Sequence, residues 1–437
     1  MALFFRGGIH PYDMKKFTAH KTIEKIPPPV SVVLPMSMHI GAPCKPLVKA
    51  GDAVALGQKI GDSDEHLSAP VHASVSGKVT AVEPRPHPNG TNVLSVVIEN
   101  DYNDTLHESV RPFGSVSSLS GEAILRLIRA SGIVGLGGAT FPTHAKISAG
   151  LGSVETLIIN CAECEPYITS DHRIMLEHPE EVIGGTHALM KVFGLTRAVI
   201  AVESNKFNAI EKLRSLIGRS GDIEVKALHT IYPQGAEKQL VRTVTGKEIP
   251  PGKFPADVGC AVYNTDTAAA VHRAITTGMP LVRRIVTVSG SAVSNPKNLY
   301  VPIGTPLENL IEATGGFKDE PKKVIMGGPM MGVAQHNLQV PVIKATNALL
   351  SFSKNEDATV KNPVCIRCGK CVGVCPMKLL PIYLYMYQQK EMYDECASLN
   401  VSDCIECGSC AYVCPGRLYL VQSMRTAKAQ LAKKSRR

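Results

Sequence analysis

Three features of the sequence predict a multidomain protein of mixed α/β and α+β class. Its 437 residues exceed one ordinary domain. Strand and helix patterns alternate from about 120 to 280, as in a layered α/β sheet. Nine of the 13 cysteines lie between Cys365 and Cys414, so the carboxyl-terminal part is built around thiols. The elements group into a small β-barrel sandwich (1–115), a Rossmann-like α/β domain (116–280), a strand–turn–helix–strand domain (281–350), a cysteine-rich domain (351–420) and a basic tail (421–437).

The amino-terminal region reads as short alternating strands with Gly-Asp turns. The stretches are Val48-Lys-Ala-Gly51-Asp52-Ala-Val54, then Ala69-Pro70-Val71-His72-Ala73, then Val75-Ser-Gly77-Lys78-Val79. This pattern is similar to lipoyl and biotinyl carrier domains. Val71-His72-Ala73 stands where those domains carry their modified lysine, so a scaffold or docking role without a covalent cofactor is expected.

In the second region, Gly132-Ile-Val-Gly135-Leu-Gly137-Gly138-Ala-Thr140-Phe141-Pro-Thr143-His-Ala-Lys146 is a glycine-rich segment. Gly135, Gly137 and Gly138 allow backbone N–H groups to approach a phosphate, and Lys146 supplies a compensating charge. Alone it is weak evidence, being neither a Walker loop nor a G-x-G-x-x-G turn in its usual setting. A buried-strand pattern, Val154 to Ile159, runs into Asn160-Cys-Ala-Glu163-Cys164-Glu165-Pro166-Tyr167. Polar residues at the carboxyl end of such a strand are where α/β sheets bind ligands. Another strand, Arg197 to Glu203, a turn at Tyr232-Pro-Gln-Gly235-Ala236-Glu237, and Asn264-Thr-Asp-Thr267 opening an alanine-rich helix follow. Cys161 and Cys164 form a C-x2-C with no second pair nearby and read as pocket wall.

The third region reads strand (Ile285 to Gly290), helix (Leu307 to Thr314, stopped by Gly315-Gly316) and strand (Lys323 to Met330). Asn347 to Pro363 reads as a linker.

The fourth region contains Cys365-x2-Cys368-x2-Cys371-x3-Cys375-Pro and Cys404-x2-Cys407-x2-Cys410-x3-Cys414-Pro, offset by 39 residues. This is the spacing of two-cluster bacterial ferredoxins, in which each run gives three thiolates to one cluster and its fourth to the other. Cys365, Cys368, Cys371 and Cys414 are expected to hold one [4Fe–4S] cluster. Cys404, Cys407, Cys410 and Cys375 are expected to hold the second. Zinc knuckles pair two C-x2-C units, often with histidine, and fit the doubled run poorly. Leu379 to Ser398 reads as one helix with Pro381 near its first turn, and Cys396 as a helix residue.

Composition narrows the function classes. The net charge is +9, yet Arg417 to Arg437 alone carries seven basic and no acidic residues, leaving a nearly neutral body. A frayed terminus, or a basic arm against anionic lipid or an acidic partner, fits that tail. No nucleic-acid module is recognisable. No run approaches the ~20 apolar residues of a membrane span, and the first residues do not form a signal peptide.

The motifs of the second region, taken in order, resemble the NADH-binding flavoprotein subunit of respiratory complex I. Gly132 to Lys146 looks like its flavin-phosphate loop, and Asn160 to Tyr167 like its Asn-x-x-Glu-x-Glu-Pro stretch. Gly235 to Leu240 looks like its Gly-Glu-Glu-Thr-Ala-Leu turn, with Ala236 in place of an acidic residue. Asn264 to Thr267 looks like its Asn-Val-Glu-Thr. The resemblance implies FMN held by Gly135, Gly137, Gly138, Lys146, Asn160 and Asn264, with NADH near Phe141, Glu163 and Glu165. A flavin converts between the two electrons of a nicotinamide and the single electrons of a cluster. The third region resembles the soluble ligand-binding β-grasp domain of the same relatives.

With the opening Phe5-Arg-Gly7-Gly8-Ile9-His10-Pro11, the whole order resembles the C-subunit family of Rnf (Rsx) complexes. That implies a peripheral subunit of a membrane-bound ferredoxin:NAD+ oxidoreductase on the cytoplasmic face. Other subunits would be its partners, NAD(H) its small-molecule substrate, and the whole complex would couple electron transfer to Na+ or H+ movement. A cobalamin reductase of bacterial microcompartments shares the architecture, and a non-catalytic iron–sulfur relay is the third reading.

Overall fold

The computed structural model describes residues 5–354 and 360–434. The amino-terminal region forms two small antiparallel sheets. One runs Ser31–Pro35, Asn92–Asn100, Gly77–Pro86, Ala53–Val54 in spatial order; the other runs Lys45–Pro46, Lys59–Asp62, Val71–His72. In the central strand Asn92–Asn100 the run Ser95 to Ile98 is buried, while most of its neighbour Gly77–Pro86 is exposed or half-buried. His72 pairs with Lys59 inside the second sheet and is itself buried, so this segment is not an exposed tip.

The second region is a parallel four-stranded sheet ordered Ile223–Leu228, Ala198–Glu203, Thr156–Cys161, Cys260–Asn264. Its inner strands are apolar through Leu157 to Ile159 and Ala198 to Val202, as strands covered on both faces must be, and turn polar at Asn160 and Glu203 near their carboxyl ends. Helices Gly121–Ala130, Pro179–Phe193 and Thr265–Thr277 pack together beside it. The alanine-rich helix fits closely: a Cβ on Gly185 would lie 1.9 Å from the Ala268 carbonyl oxygen.

The third sheet has six strands, ordered Ile23–Lys25, Lys297–Pro302, Arg283–Ser289, Ala348–Ser353, Pro321–Met326, Val333–Gln335. Two of its members correct the sequence reading. Ile23–Lys25 crosses from the amino-terminal region to pair in parallel with Asn298–Tyr300. Ala348–Ser353, expected as the start of a linker, is an internal strand between Arg283–Ser289 and Pro321–Met326. Its Ala-Leu-Leu-Ser-Phe-Ser pattern is short and buried, and no turn residues set it apart in the sequence.

In the cysteine-rich region the expected helix from Leu379 to Ser398 is two helices, Pro381–Gln389 and Tyr393–Ser398. They are separated where Glu391 takes a left-handed conformation (φ 56°). Pro381 begins the first, where its missing N–H costs nothing. Cys396 is buried and its thiol points to the Leu384 carbonyl. The frayed tail is also corrected. Leu420–Lys434 is a helix whose Leu420, Met424 and Ala427 are buried, and it packs on the two preceding helices. Beside this apolar stripe at i, i+4 and i+7, which charge alone concealed, Arg425 and Lys428 reach Glu406 of the second cysteine run. Residues 435–437, the end of the basic run, lie outside the described residues.

Candidate functional site

The parallel sheet ends in a cluster of polar side chains, as its topology favours. Asn160, near the end of Thr156–Cys161, donates to the Gly235 carbonyl at 2.8 Å. Asn264, at the end of the neighbouring strand, caps the following helix by accepting from the Asp266 N–H at 2.9 Å, and it donates to Asp171 at 2.6 Å. The glycine-rich loop lies against it: a Cβ on Gly137 would sit 3.1 Å from the Asn264 Cβ. Gly138 adopts φ 145° with open space where a side chain would be, and residues 137 to 139 are exposed. Gly135 is held in the loop by its N–H bond to the Phe141 carbonyl, 2.9 Å. The loop therefore presents backbone beside Asn264 without side chains in the way, which fits a phosphate or ribityl group close to the chain.

Lys146 lies on the helix Thr143–Gly150 that follows the loop. Its Nζ pairs with Glu237 and lies 5.4 Å from the Tyr263 ring centroid. Glu237 opens the helix after Gly235-Ala236, so the turn expected from the sequence and the loop lysine meet directly. The ion pair is partly exposed, so it is available to rearrange around an anion.

Glu163 and Glu165 are placed differently from exposed ligand contacts. The Glu163 carboxylate accepts from the backbone N–H of Asp171 (2.6 Å) and His172 (3.3 Å) at the start of the helix Ser170–Glu177. Lys15 lies 3.9 Å away. Glu165 accepts from the N–H groups of Met330 and Met331 at 3.1 and 2.9 Å, tying the third region to the second. Burial nevertheless pushes its carboxyl up to about 7, against the lowering effect of those two donors. Asp171, under Asn264, is also pushed up to about 7, by burial first and then by Glu163 and Asp266. Burial raises the Cys161 and Cys164 thiols; Cys164 accepts from the Gly235 N–H at 3.4 Å. Cys161 is fully buried in its strand, and Cys164 lines a small cavity with Lys15, Glu203 and Tyr232.

Sequence reasoning missed Asp171, Lys15 and Tyr232. Lys15 is buried and donates to the Glu165 carbonyl at 2.9 Å and to the Ile168 carbonyl. Tyr232 donates its hydroxyl to the Cys407 carbonyl at 2.6 Å. None stands at a spacing that marks it; only the folded chain brings each to the strand ends.

In the cysteine-rich region Cys375, Cys404, Cys407 and Cys410 line one small cavity with Leu384 and Met424. The four come from both runs, three from the second and the last from the first. The charge on Cys375 raises both Cys404 and Cys410, after burial and other, larger effects. In the first run Cys371 is raised by burial and then by Cys414, and a Cβ on Gly416 would lie 2.0 Å from the Val364 carbonyl oxygen, so the chain after Cys414 abuts the chain before Cys365. Among the described residues no three His, Cys, Asp or Glu side chains converge as they would on a single ion. A cubane, with iron at four corners, spreads its thiolates more widely than a mononuclear metal does. The Arg367 N–H points at Cys365 Sγ (3.3 Å) and the Glu406 N–H at Cys404 Sγ (3.4 Å), equivalent donors in the two runs that suit sulfur carrying negative charge.

Comparison with known proteins matches four family models in the same order. They are the RnfC barrel sandwich hybrid domain (residues 3–103), the Nuo51 FMN-binding domain (128–273), the SLBB domain (285–334) and a 4Fe-4S dicluster domain (358–415). The C subunit of the Na(+)-translocating ferredoxin:NAD(+) oxidoreductase complex of Acetobacterium woodii is 49% identical, over 99% of this chain and 98% of that one. The proton-translocating counterpart from Clostridium ljungdahlii is 45% identical, over 90% and 86%. The C subunit of the ion-translocating oxidoreductase complex of Rhodobacter capsulatus is 42% identical, over 99% and 84%. Among solved structures, a NAD+-reducing [NiFe]-hydrogenase in its H2-reduced state superposes with a TM-score of 0.51 at 19% identity, over 73% of this chain and 64% of that one, a likeness of fold. The chain belongs to the C-subunit family of ion-translocating, Rnf-type oxidoreductase complexes.

Proposed function

We propose that this chain is the nicotinamide-facing, peripheral electron-transfer subunit of a membrane-bound ferredoxin:NAD+ oxidoreductase, on the cytoplasmic face of the membrane. Its relatives are named as subunits of such complexes, and among the described residues no helix is long and apolar enough to cross a bilayer. Gly137 and Gly138 would offer backbone N–H groups to the FMN phosphate, Gly135, whose own N–H is taken by the Phe141 carbonyl, would shape the loop around it, Lys146 would supply compensating charge, and Asn160 and Asn264 would hold the strand-end side of the site. Phe141 and the wall formed by Glu163 and Glu165 border the nicotinamide. Bound FMN supplies the exchange between hydride and single electrons. The eight cysteines supply two cluster sites with crossed ligation. The partner proteins of the complex extend the path and carry the coupled Na+ or H+ movement.

One observation carries this reading: the Tyr232 hydroxyl meets the Cys407 carbonyl, two residues before Gln234 leads into the Gly235 turn. The strand-end site and a cluster loop are thus in direct contact, as electron transfer between them requires. The test is anaerobic reconstitution with iron, sulfide and FMN, then titration with NADH under visible and EPR detection. Flavin bleaching followed by reduced-cluster signals supports the proposal. Clusters that answer dithionite but not NADH, in a chain that retains no flavin, reduce it to a relay.

A further inference from the structure

The start of the chain touches every region that follows it. The Gly8 N–H donates to the Val374 carbonyl of the first cysteine run at 2.9 Å. Ile9 and Tyr232 exchange both backbone hydrogen bonds, at 2.8 and 2.9 Å, as one closely paired antiparallel bridge. Further on, the Asp13 carbonyl accepts from the Tyr167 N–H at 2.8 Å. The Thr18 hydroxyl meets that of Thr169 at 2.7 Å, and the Thr18 carbonyl accepts from the Asn298 side chain at 2.9 Å. Residues 5–18 therefore form a strap that runs from the third region, past the strand-end site, to the cluster domain.

The strap fits most closely at two glycines. Gly7 and Gly8 have φ of 84° and 80°, the left-handed region that glycine enters freely. A Cβ on Gly7 would lie 2.8 Å from the Cys375 carbonyl oxygen, and one on Gly8 2.8 Å from the Tyr232 carbonyl oxygen. Both obstacles are backbone, so a side chain at either glycine would displace a wall. Ile9, Tyr232 and Cys407 share one small buried apolar cluster, with Val374 and Met330 packed against it. Gly7 thus bears on Cys375 and Tyr232 on Cys407. These are two ligands assigned to the same cluster, one from each run.

A ligand set gripped from two sides is oriented by its neighbours as much as by its own loops. We infer that Gly7, Gly8 and Ile9, acting through Tyr232, are positioning residues. They fix the second-run ligand set beside the strand-end site and so set how fast a single electron passes between reduced FMN and that cluster. No bond forms or breaks in that step. The inference rests on the proposed function for the source of the electron and on the crossed ligand set for the cluster.

The test uses the full chain with iron, sulfide and FMN restored. Stopped-flow mixing with NADH separates flavin bleaching from cluster reduction. Transfer of iron to a chelator, followed without nucleotide, reports how well Cys407 is covered. Gly7→Ala and Gly8→Ala are expected to slow cluster reduction by about tenfold to a hundredfold, the scale of a misplacement of about 1 Å. Flavin bleaching and the contents of iron and FMN should stay unchanged. Half of the iron should leave faster than in the parent chain, and half at the parent rate. Gly90→Ala, at φ 85° with no atom within 4 Å of its Cβ, carries the same backbone cost and should match the parent. If the strap variants fail to take up iron, Tyr232→Phe carries the test. It adds no atom, loses only the bond to Cys407, and should slow cluster reduction about fivefold, the worth of one ordinary hydrogen bond. Parent rates of cluster reduction and iron release in Gly7→Ala and Gly8→Ala, or in Tyr232→Phe where those two do not assemble, overturn the inference. So does equal slowing in Gly90→Ala. A parent chain whose clusters ignore NADH counts against the proposed function, while faster loss of half the iron from the strap variants would still uphold the grip on the ligand set.

Discussion

The strand-end site and the cluster domain hold their chemistry in opposite ways. At the strand ends nearly every polar side chain is already engaged by protein: Lys146 by Glu237, Asn160 by Gly235, Asn264 by Asp171, Glu163 by a helix start, Glu165 by Met330 and Met331. In the cluster domain four thiols line one cavity, and backbone N–H groups point at sulfur. A site for an exchangeable organic cofactor is pre-organised by its own hydrogen bonds. A site for a covalently ligated cluster leaves its ligands facing one another. The first tolerates loss of one contact; the second does not.

The largest expected effect follows from that contrast. Cys375→Ser should abolish the cluster bound by the second run, although Cys375 belongs to the first, halving the iron content and removing one EPR signal. If the first run's cluster disappears instead, the crossed ligation is wrong. Lys146→Ala should lower flavin affinity by one to two decades, the range for a charge-assisted hydrogen bond of about 1.5–3 kcal/mol, while iron content stays unchanged. Full flavin occupancy at sub-micromolar FMN would remove Lys146 from the phosphate site.

Glu165→Gln leaves two buried N–H donors sharing one carbonyl oxygen. It should cost about 1–2 kcal/mol of stability, seen as a lower urea midpoint; no shift would mean that the contact with the third region is idle. The smallest effect is one of pH. Asp171 and Glu165 have carboxyls raised to about 7 in the folded chain, against about 4 when unfolded. The folded state therefore binds more protons between those values. This contribution to stability is fully present below about pH 4 and is lost as pH rises through about 7. Asp171→Asn should flatten the dependence of melting temperature on pH between about 5 and 8, and an unchanged slope would assign the effect elsewhere.

How much of this was legible follows the same division. Cluster ligands are fixed by covalent spacing along the chain, so eight positions could be named from two short runs, and the cavity gathers four of them from both. That residues 137 to 139 lie open beside Asn264 was legible because glycines mark close approach of backbone. The partners of the polar residues were not. Asp171 lies 93 residues from Asn264, and Glu165 lies 165 residues from Met330; no periodicity connects them. The helix at Leu420–Lys434 was masked by its charge. The strand Ala348–Ser353 was masked by brevity, since a six-residue apolar run does not announce its partners.

Lys344 makes the contact between three regions depend on one side chain. Its side chain is 0% exposed and donates to the carbonyls of Pro70 and Gly132, each at 2.7 Å; burial lowers its ammonium to about 8. These carbonyls belong to the barrel and to the start of the glycine-rich segment, 274 and 212 residues before Lys344 in the chain. One side chain thus joins three regions, and Lys344→Met would leave both buried carbonyls without that donor.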